Sequence, residues 1–311
     1  MEQRQDTINE LSRRIRELKE MRRAVILAHF YQRPEVQEVA DFVGDSLQLS
    51  QQAAATSAET IVFCGVYFMA ESAKILSPEK IVLLPEEDAG CPLADMASPE
   101  AVRSRREALP GSIVVTYVNS SAAVKAESDF CCTSSNALRV VEAMPPERPI
   151  LFVPDRNLGQ YIARRTGRRL ELWDGYCHVH DRLTVGEIQA ARAEHPEALV
   201  MVHPECRPEV IDQADYVSST GGMLKYAGSS PAPAFIIGTE QGLLHSLKKA
   251  YPDKFFYLAA SHMVCPNMKS TTLEKVRWAL EDMTPQIEVD PHVQERARQA
   301  LARMLEIGGE R

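Results

Sequence analysis

The chain reads as an α/β protein of three pseudo-threefold-related α/β/α units, each a short parallel sheet flanked by helices, around a central site. Three observations predict this. Short apolar runs alternate with Ala-rich or amphipathic segments, the pattern of parallel layers whose buried strands appear as continuous apolar stretches. The runs recur with a period near 86 residues, which marks one unit used repeatedly. Three cysteines, Cys91, Cys177 and Cys265, recur 86 and then 88 residues apart, so each unit carries one.

Along the chain, a first set of β-rich runs occupies 25–31, 113–119 and 199–205, with Tyr31, Tyr117 and His203 aligned at spacings of 86. A second set lies at 61–65, 149–153 and 234–238, and a third at 81–84, 170–173 and 255–258. Helices are predicted at 36–57, 69–76, 157–165 and 242–251. Each unit is therefore β-α-β-α-β followed by a cysteine-bearing loop, over 24–108, 109–195 and 196–283. Charged amphipathic helices at about 5–22 and 291–306 are expected to pack across the outside.

Composition narrows the function classes. With 45% hydrophobic and 25% charged residues, the 311-residue chain has the make-up of a soluble globular protein. A net charge of −8 and the absence of a Lys/Arg run argue against nucleic-acid and membrane partners. Residues 1–23 are charged and lack the apolar core of a secretory signal, and the apolar runs are too short to span a bilayer. The expected location is cytoplasmic. There, seven cysteines point to metal binding or catalysis rather than a disulfide framework.

Cys64 reads as a buried strand residue, Cys131 and Cys132 as a turn or helix start, and Cys206 as a loop residue; none has a repeat partner. Cys91, Cys177 and Cys265 differ, sitting in the loops 89–92 (AGCP), 174–177 (DGYC) and 262–266 (HMVCP). Zinc with His262 or His178 as fourth ligand is one reading, although paired C-x₂₋₄-C ligands are missing. A cubane iron–sulfur cluster suits them better, because three thiolates leave one iron open to substrate. Polar residues end the first strand of each unit, where α/β proteins place ligands: His29 and Tyr31, Tyr117 and Asn119, His203 and Glu205. Ser46, Ser134, Ser219 and Thr220 precede helices in corresponding places after those strands, suited to binding carboxylate or phosphate.

These segments resemble the quinolinate synthase family over roughly residues 20–290. The resemblance rests on 28–32 (AHFYQ), 44–46 (GDS), 63–66 (FCGV), 68–74 (FMAESAK), 116–120 (TYVNS), 132–136 (CTSSN), 154–159 (PDRNLG), 202–206 (VHPEC), 219–222 (STGG) and 265–269 (CPNMK). Tyr67 and Arg156 depart from the family pattern, which often has His and Lys there. The resemblance implies a transferase of NAD biosynthesis that condenses iminoaspartate with dihydroxyacetone phosphate to quinolinate. It implies one [4Fe–4S] cluster per chain on Cys91, Cys177 and Cys265. Glu205, Tyr31, Tyr117 and His203 become the expected catalytic groups, and His29, Ser46, Asn119, Ser134, Ser219 and Thr220 join Tyr117, His203 and Glu205 as expected substrate contacts. An L-aspartate oxidase or dehydrogenase is the expected source of iminoaspartate, which hydrolyses readily. A hydro-lyase with a three-cysteine cluster and a structural metal scaffold remain the alternatives.

Overall fold

The computed structural model describes residues 2–308. Its strands are β1 (Ala24–His29), β2 (Phe42–Gly44), β3 (Thr60–Cys64) and β4 (Ile81–Leu83), then β5 (Ile113–Tyr117), β6 (Phe130–Cys132), β7 (Ile150–Val153) and β8 (Leu170–Leu172), and finally β9 (Leu199–Val202), β10 (Tyr216–Val217), β11 (Ala234–Gly238) and β12 (Phe255–Leu258). They form three separate four-stranded sheets with one topology: β2-β1-β3-β4, β6-β5-β7-β8 and β10-β9-β11-β12. All named pairings within them are parallel. The predicted three-unit α/β architecture is the observed one.

Each unit has one strand more than the sequence pattern predicts. β2, β6 and β10 are edge strands of two or three residues, too short to show a period. The helix expected over 36–57 is accordingly broken into Pro34–Val39 and Ser46–Ala55, with β2 between them. Cys131 and Cys132 lie in strand β6, not at a turn or helix start.

An aspartate fixes the entry to each edge strand. Asp41, Asp129 and Asp215 accept the backbone N–H of Ile26, Val114 and Val200 at 2.9, 2.8 and 2.8 Å. Their own N–H groups donate back to the carbonyls of the same three residues. This repeated clasp sets the true alignment of the units. His29, Tyr117 and His203 are equivalent, as are Tyr31, Asn119 and Glu205. Tyr31 and Tyr117, which the constant spacing of 86 pairs, are two positions out of register. Unit two is two residues shorter than the others between its clasped strand residue and its cysteine, which produces the slip.

The inner strands carry the core: Ile26, Leu27 and Ala28, Val114 and Val115, and Val200, Met201 and Val202 are fully buried. Helix Glu2–Met21 buries Ile15 and Leu18 against Leu273 and Val276. Helix Pro291–Ile307 does more than lie across the outside. It buries Ala297, Ala300, Leu301 and Met304 completely, and its Met304 carbonyl accepts from the Asn136 side chain at 3.2 Å. Among the described residues, no helix is long and apolar enough to cross a membrane.

Candidate functional site

The carboxyl ends of the three sheets face one buried cavity. Cys91, Cys177 and Cys265 line it together, from three loops far apart in the chain. Each cysteine starts a helical turn in the same way. Its carbonyl accepts the N–H four residues on, from Asp95, Asp181 and Lys269 at 3.2, 2.9 and 3.2 Å. Its sulfur accepts N–H groups two and three residues on: Leu93 and Ala94, Val179 and His180, Asn267 and Met268. Thiol and turn thus form one rigid piece, repeated three times. All seven cysteines are free thiols.

Burial pushes the Cys91 thiol up to about 12 and raises the other two. Such sulfurs release their protons to a cationic centre rather than to water. Three soft donors with fixed backbone N–H contacts fit an iron–sulfur cluster, in which hydrogen bonds to sulfur are a tuning device. His262, one conceivable zinc ligand, turns its Nδ1 to Glu187 at 3.3 Å, while His178 lines the cavity. Cys177, His180 and Glu205 also offer donor atoms within 4.8 Å of one another, a smaller group that shares one sulfur with the first.

The strand-end residues form a polar wall opposite the sulfurs. His29 Nδ1 accepts the N–H of Tyr31 at 3.1 Å, which leaves Nε2 as the N–H that can meet a ligand. Burial, then His203 and Lys269, lowers the pKa of His29 to about 3, so this imidazole is neutral. Glu205 is buried beside two imidazoles: Oε2 lies 2.9 Å from His180 Nδ1 and 3.1 Å from His203 Nδ1. Burial alone would raise its pKa, but attraction and hydrogen bonds from His203 and His180 outweigh that and keep it ionised. Its other oxygen, Oε1, is buried without a partner, as is Oδ1 of Asn119. Two orphan acceptors in one cavity are what a site leaves open for a ligand.

Tyr31 and Tyr117 line the same wall, and burial followed by the Glu205 charge holds both phenols protonated. The Tyr31 hydroxyl lies 2.6 Å from Thr239 Oγ1, which lies 2.8 Å from His180 Nε2. A continuous chain therefore runs from Glu205 through His180 and Thr239 to Tyr31. The sequence reading missed both His180 and Thr239. A signal existed for the first: it stands three residues after Cys177, where the other units have Ala94 and Met268.

Ser46, Ser134 and Thr220 line the cavity from the third side, with Ser134 Oγ 3.2 Å from His203 Nε2. They follow the short edge strands β2, β6 and β10, not the first strand of each unit. Ser219 does not line this cavity. It caps helix Thr220–Ser229 by accepting from Gly222 N–H at 3.1 Å, and it borders a neighbouring groove. Ser135 joins the three units there, donating to Asp45 Oδ2 at 2.6 Å and lying 2.9 Å from Ser219 Oγ.

A protein-family model described as quinolinate synthetase A protein matches residues 13–306. The chain is 58% identical over 300 residues to a quinolinate synthase of Desulforudis audaxviator, covering 96% of this chain and 99% of the relative. It is 56% identical over 293 residues to one from Geobacter sp. strain M21, covering 94% and 96%. A quinolinate synthase of Methanosarcina barkeri is 53% identical over 298 residues, covering 96% and 98%.

Proposed function

The chain belongs to the quinolinate synthase family, and from that premise we propose that it condenses iminoaspartate with dihydroxyacetone phosphate in this cavity. The products are quinolinate, phosphate and two waters, which makes the enzyme a transferase of NAD biosynthesis. The observation that carries the reading is the set of three identical cysteine turns aimed into one cavity whose opposite wall holds an ionised, half-unpartnered Glu205.

In this reading Cys91, Cys177 and Cys265 hold one [4Fe–4S] cluster, which when bound supplies a Lewis acid at the iron that no cysteine ligates. The remaining chemistry belongs to the side chains. His29 donates its Nε2–H to a substrate carboxylate, and Asn119 orients a donor on the substrate with its unpartnered oxygen. Ser46, Ser134 and Thr220 supply hydroxyls to phosphate or carboxylate oxygens. Glu205 accepts a proton at Oε1 while His180 and His203 hold its orientation through Oε2. The proton is returned at the Tyr31 hydroxyl through His180 and Thr239, with His180 exchanging tautomers as it passes. Tyr117 gives a second phenolic proton on the same wall. Burial of these groups keeps water away from reactive imine and enol species.

Free thiols throughout suit work in a reducing cytoplasm, near an L-aspartate oxidase or dehydrogenase that replenishes iminoaspartate. Anaerobic purification followed by iron, sulfide and zinc analysis tests the cofactor. An assay with iminoaspartate and dihydroxyacetone phosphate tests the reaction. Alanine at Cys91, Cys177 or Cys265 is expected to abolish both cluster absorbance and turnover, and an active, fully loaded variant would remove that cysteine from the ligand set. A loaded wild-type chain that makes no quinolinate points instead to dehydration of a hydroxy acid.

A further inference from the structure

The loops that carry the three cysteines are joined to the sheets at equivalent points. The N–H of Tyr67, Arg156 and Gln241 donates to the carbonyl two residues before the cysteine, on Ala89, Gly175 and Met263, at 2.8, 2.8 and 2.9 Å. The residues just before those donors are therefore equivalent as well: Val66, Asp155 and Glu240. In two units this position is a fully buried carboxylate. Asp155 Oδ2 accepts the N–H of Cys177 at 3.1 Å, and Glu240 Oε1 accepts the N–H of Cys265 at 3.2 Å.

The two carboxylates differ in their remaining partners. Asp155 caps its own helix, Oδ1 taking the N–H of Leu158 at 2.7 Å. Glu240 is one carbon longer in its side chain, takes Gly242 N–H at 2.7 Å, and pairs with Lys269 at 2.9 Å. Lys269 in turn donates to the Tyr31 carbonyl. Two different side chains in two different local settings share one contact, the amide of the cysteine. Burying a carboxylate costs several kcal/mol unless each oxygen is satisfied, so helix capping alone is a poor reason to keep two of them here.

Resting on the reading of Cys177 and Cys265 as cluster ligands, we propose that Asp155 and Glu240 are positioning residues that fix the backbone of these two cysteines so that their sulfurs face the cavity. With its N–H taken, the peptide before each cysteine cannot rotate. The sulfur is then held where the following turn donates to it. Cys91, opposite Val66, lacks a carboxylate at this position and serves as an internal reference.

The test uses Asp155→Asn and Glu240→Gln, which keep size and leave no cavity. In each, the N–H₂ group faces one backbone N–H and the neutral amide oxygen holds the other more weakly than a carboxylate does, so the N–H of the cysteine is held less tightly in either orientation. Metal-free chains are alkylated under reducing, anaerobic conditions and the labelled cysteines are mapped by mass spectrometry. Relative to Cys91, labelling of Cys177 is expected to rise about fivefold in Asp155→Asn alone, and labelling of Cys265 by a similar factor in Glu240→Gln alone, the scale of one weakened hydrogen bond. After reconstitution, iron release to a chelator is expected to be about tenfold faster in both, the usual scale for losing a contact behind a metal ligand. Asp129→Asn, remote from the cavity, is the control for general loosening and should leave both measurements at wild-type values. Unchanged labelling in folded variants, or equal rises at all three cysteines, would overturn the proposal. If Asp155→Asn does not fold, Glu240→Gln decides it. A wild-type chain that binds no iron–sulfur cluster overturns the cofactor reading instead, and the labelling arm still decides the bracing.

Discussion

Replacing Glu205 by glutamine separates the proposed chemistry from architecture, because the two oxygens have different surroundings. Oε2 lies against His180 and His203, at 2.9 and 3.1 Å, while Oε1 is buried and open to the cavity. The Glu205→Gln side chain keeps the shape and places its amide oxygen against the imidazoles. Two charge-assisted contacts become neutral ones, a loss of about 1 kcal/mol each. Removal of a buried negative charge offsets this, since its desolvation costs several kcal/mol. Fold stability should therefore stay within about 2 kcal/mol of wild type. Catalysis should not, because an N–H₂ group now stands where the proposed proton acceptor was. Loss of a general base costs about 10²- to 10⁴-fold, equivalent to roughly 3–5.5 kcal/mol of barrier. The assay is anaerobic quinolinate formation, with iron and sulfide content and thermal unfolding measured on the same sample. Turnover within about threefold of wild type at full iron would refute the role of Glu205 as base. Loss of iron would place Glu205 with Cys177 and His180 as a metal-holding group.

Thr239→Val preserves volume but removes the hydroxyl between Tyr31 and His180; kcat should fall about 10- to 100-fold with little change in KM, and an unchanged kcat would exclude this relay. Gly175→Ala should cost about 1–3 kcal/mol and lower iron retention, because a Cβ there would stand 2.4 Å from the Pro154 carbonyl oxygen; chemical denaturation with iron analysis checks it, and a fully stable, fully loaded variant would contradict it. His29 supplies a pH signature. The unfolded chain takes up a proton below about pH 6.5 that the folded site refuses until about 3, so this residue removes stability as pH falls through that window. Metal-free wild type should lose about 2 kcal/mol between pH 6.5 and 5 relative to His29→Gln, and parallel urea midpoints for the two would count against a buried neutral imidazole.

The inner strands were legible because two buried faces leave them uniformly apolar, and the cysteines because they return at the period of the fold. The edge strands were not, since Phe42–Gly44 and Tyr216–Val217 are too short to carry a pattern and are defined by pairing with β1 and β9. Register failed for a related reason. Two tyrosines at the right distance, Tyr31 and Tyr117, look equivalent in a chain read without gaps, and only the aspartate clasps and strand pairing show the two-residue slip. The residues at the strand ends line one cavity because topology alone brings them together. His180 and Thr239 escaped because their meaning lies in contacts between units two and three. Ser219 shows the same limit: its sequence position fits a ligand contact, while its hydroxyl caps a helix, meets Ser135 and borders the neighbouring groove.

The corrected register also explains how a threefold scaffold makes an asymmetric cavity wall. At the first equivalent position stand His29, Tyr117 and His203, and at the second Tyr31, Asn119 and Glu205. Sheet geometry delivers three side chains to equivalent places each time, so residue identity alone makes the wall asymmetric: two imidazoles and a phenol at the first position, and a phenol, an amide and a carboxylate at the second. The position behind the cysteine loops follows the same logic, with Val66, Asp155 and Glu240. What remains common to all three units is the cysteine turn itself, with its sulfur facing two backbone N–H groups. Repetition is retained in the backbone turn that positions each sulfur and abandoned in the side chains that line the rest of the cavity.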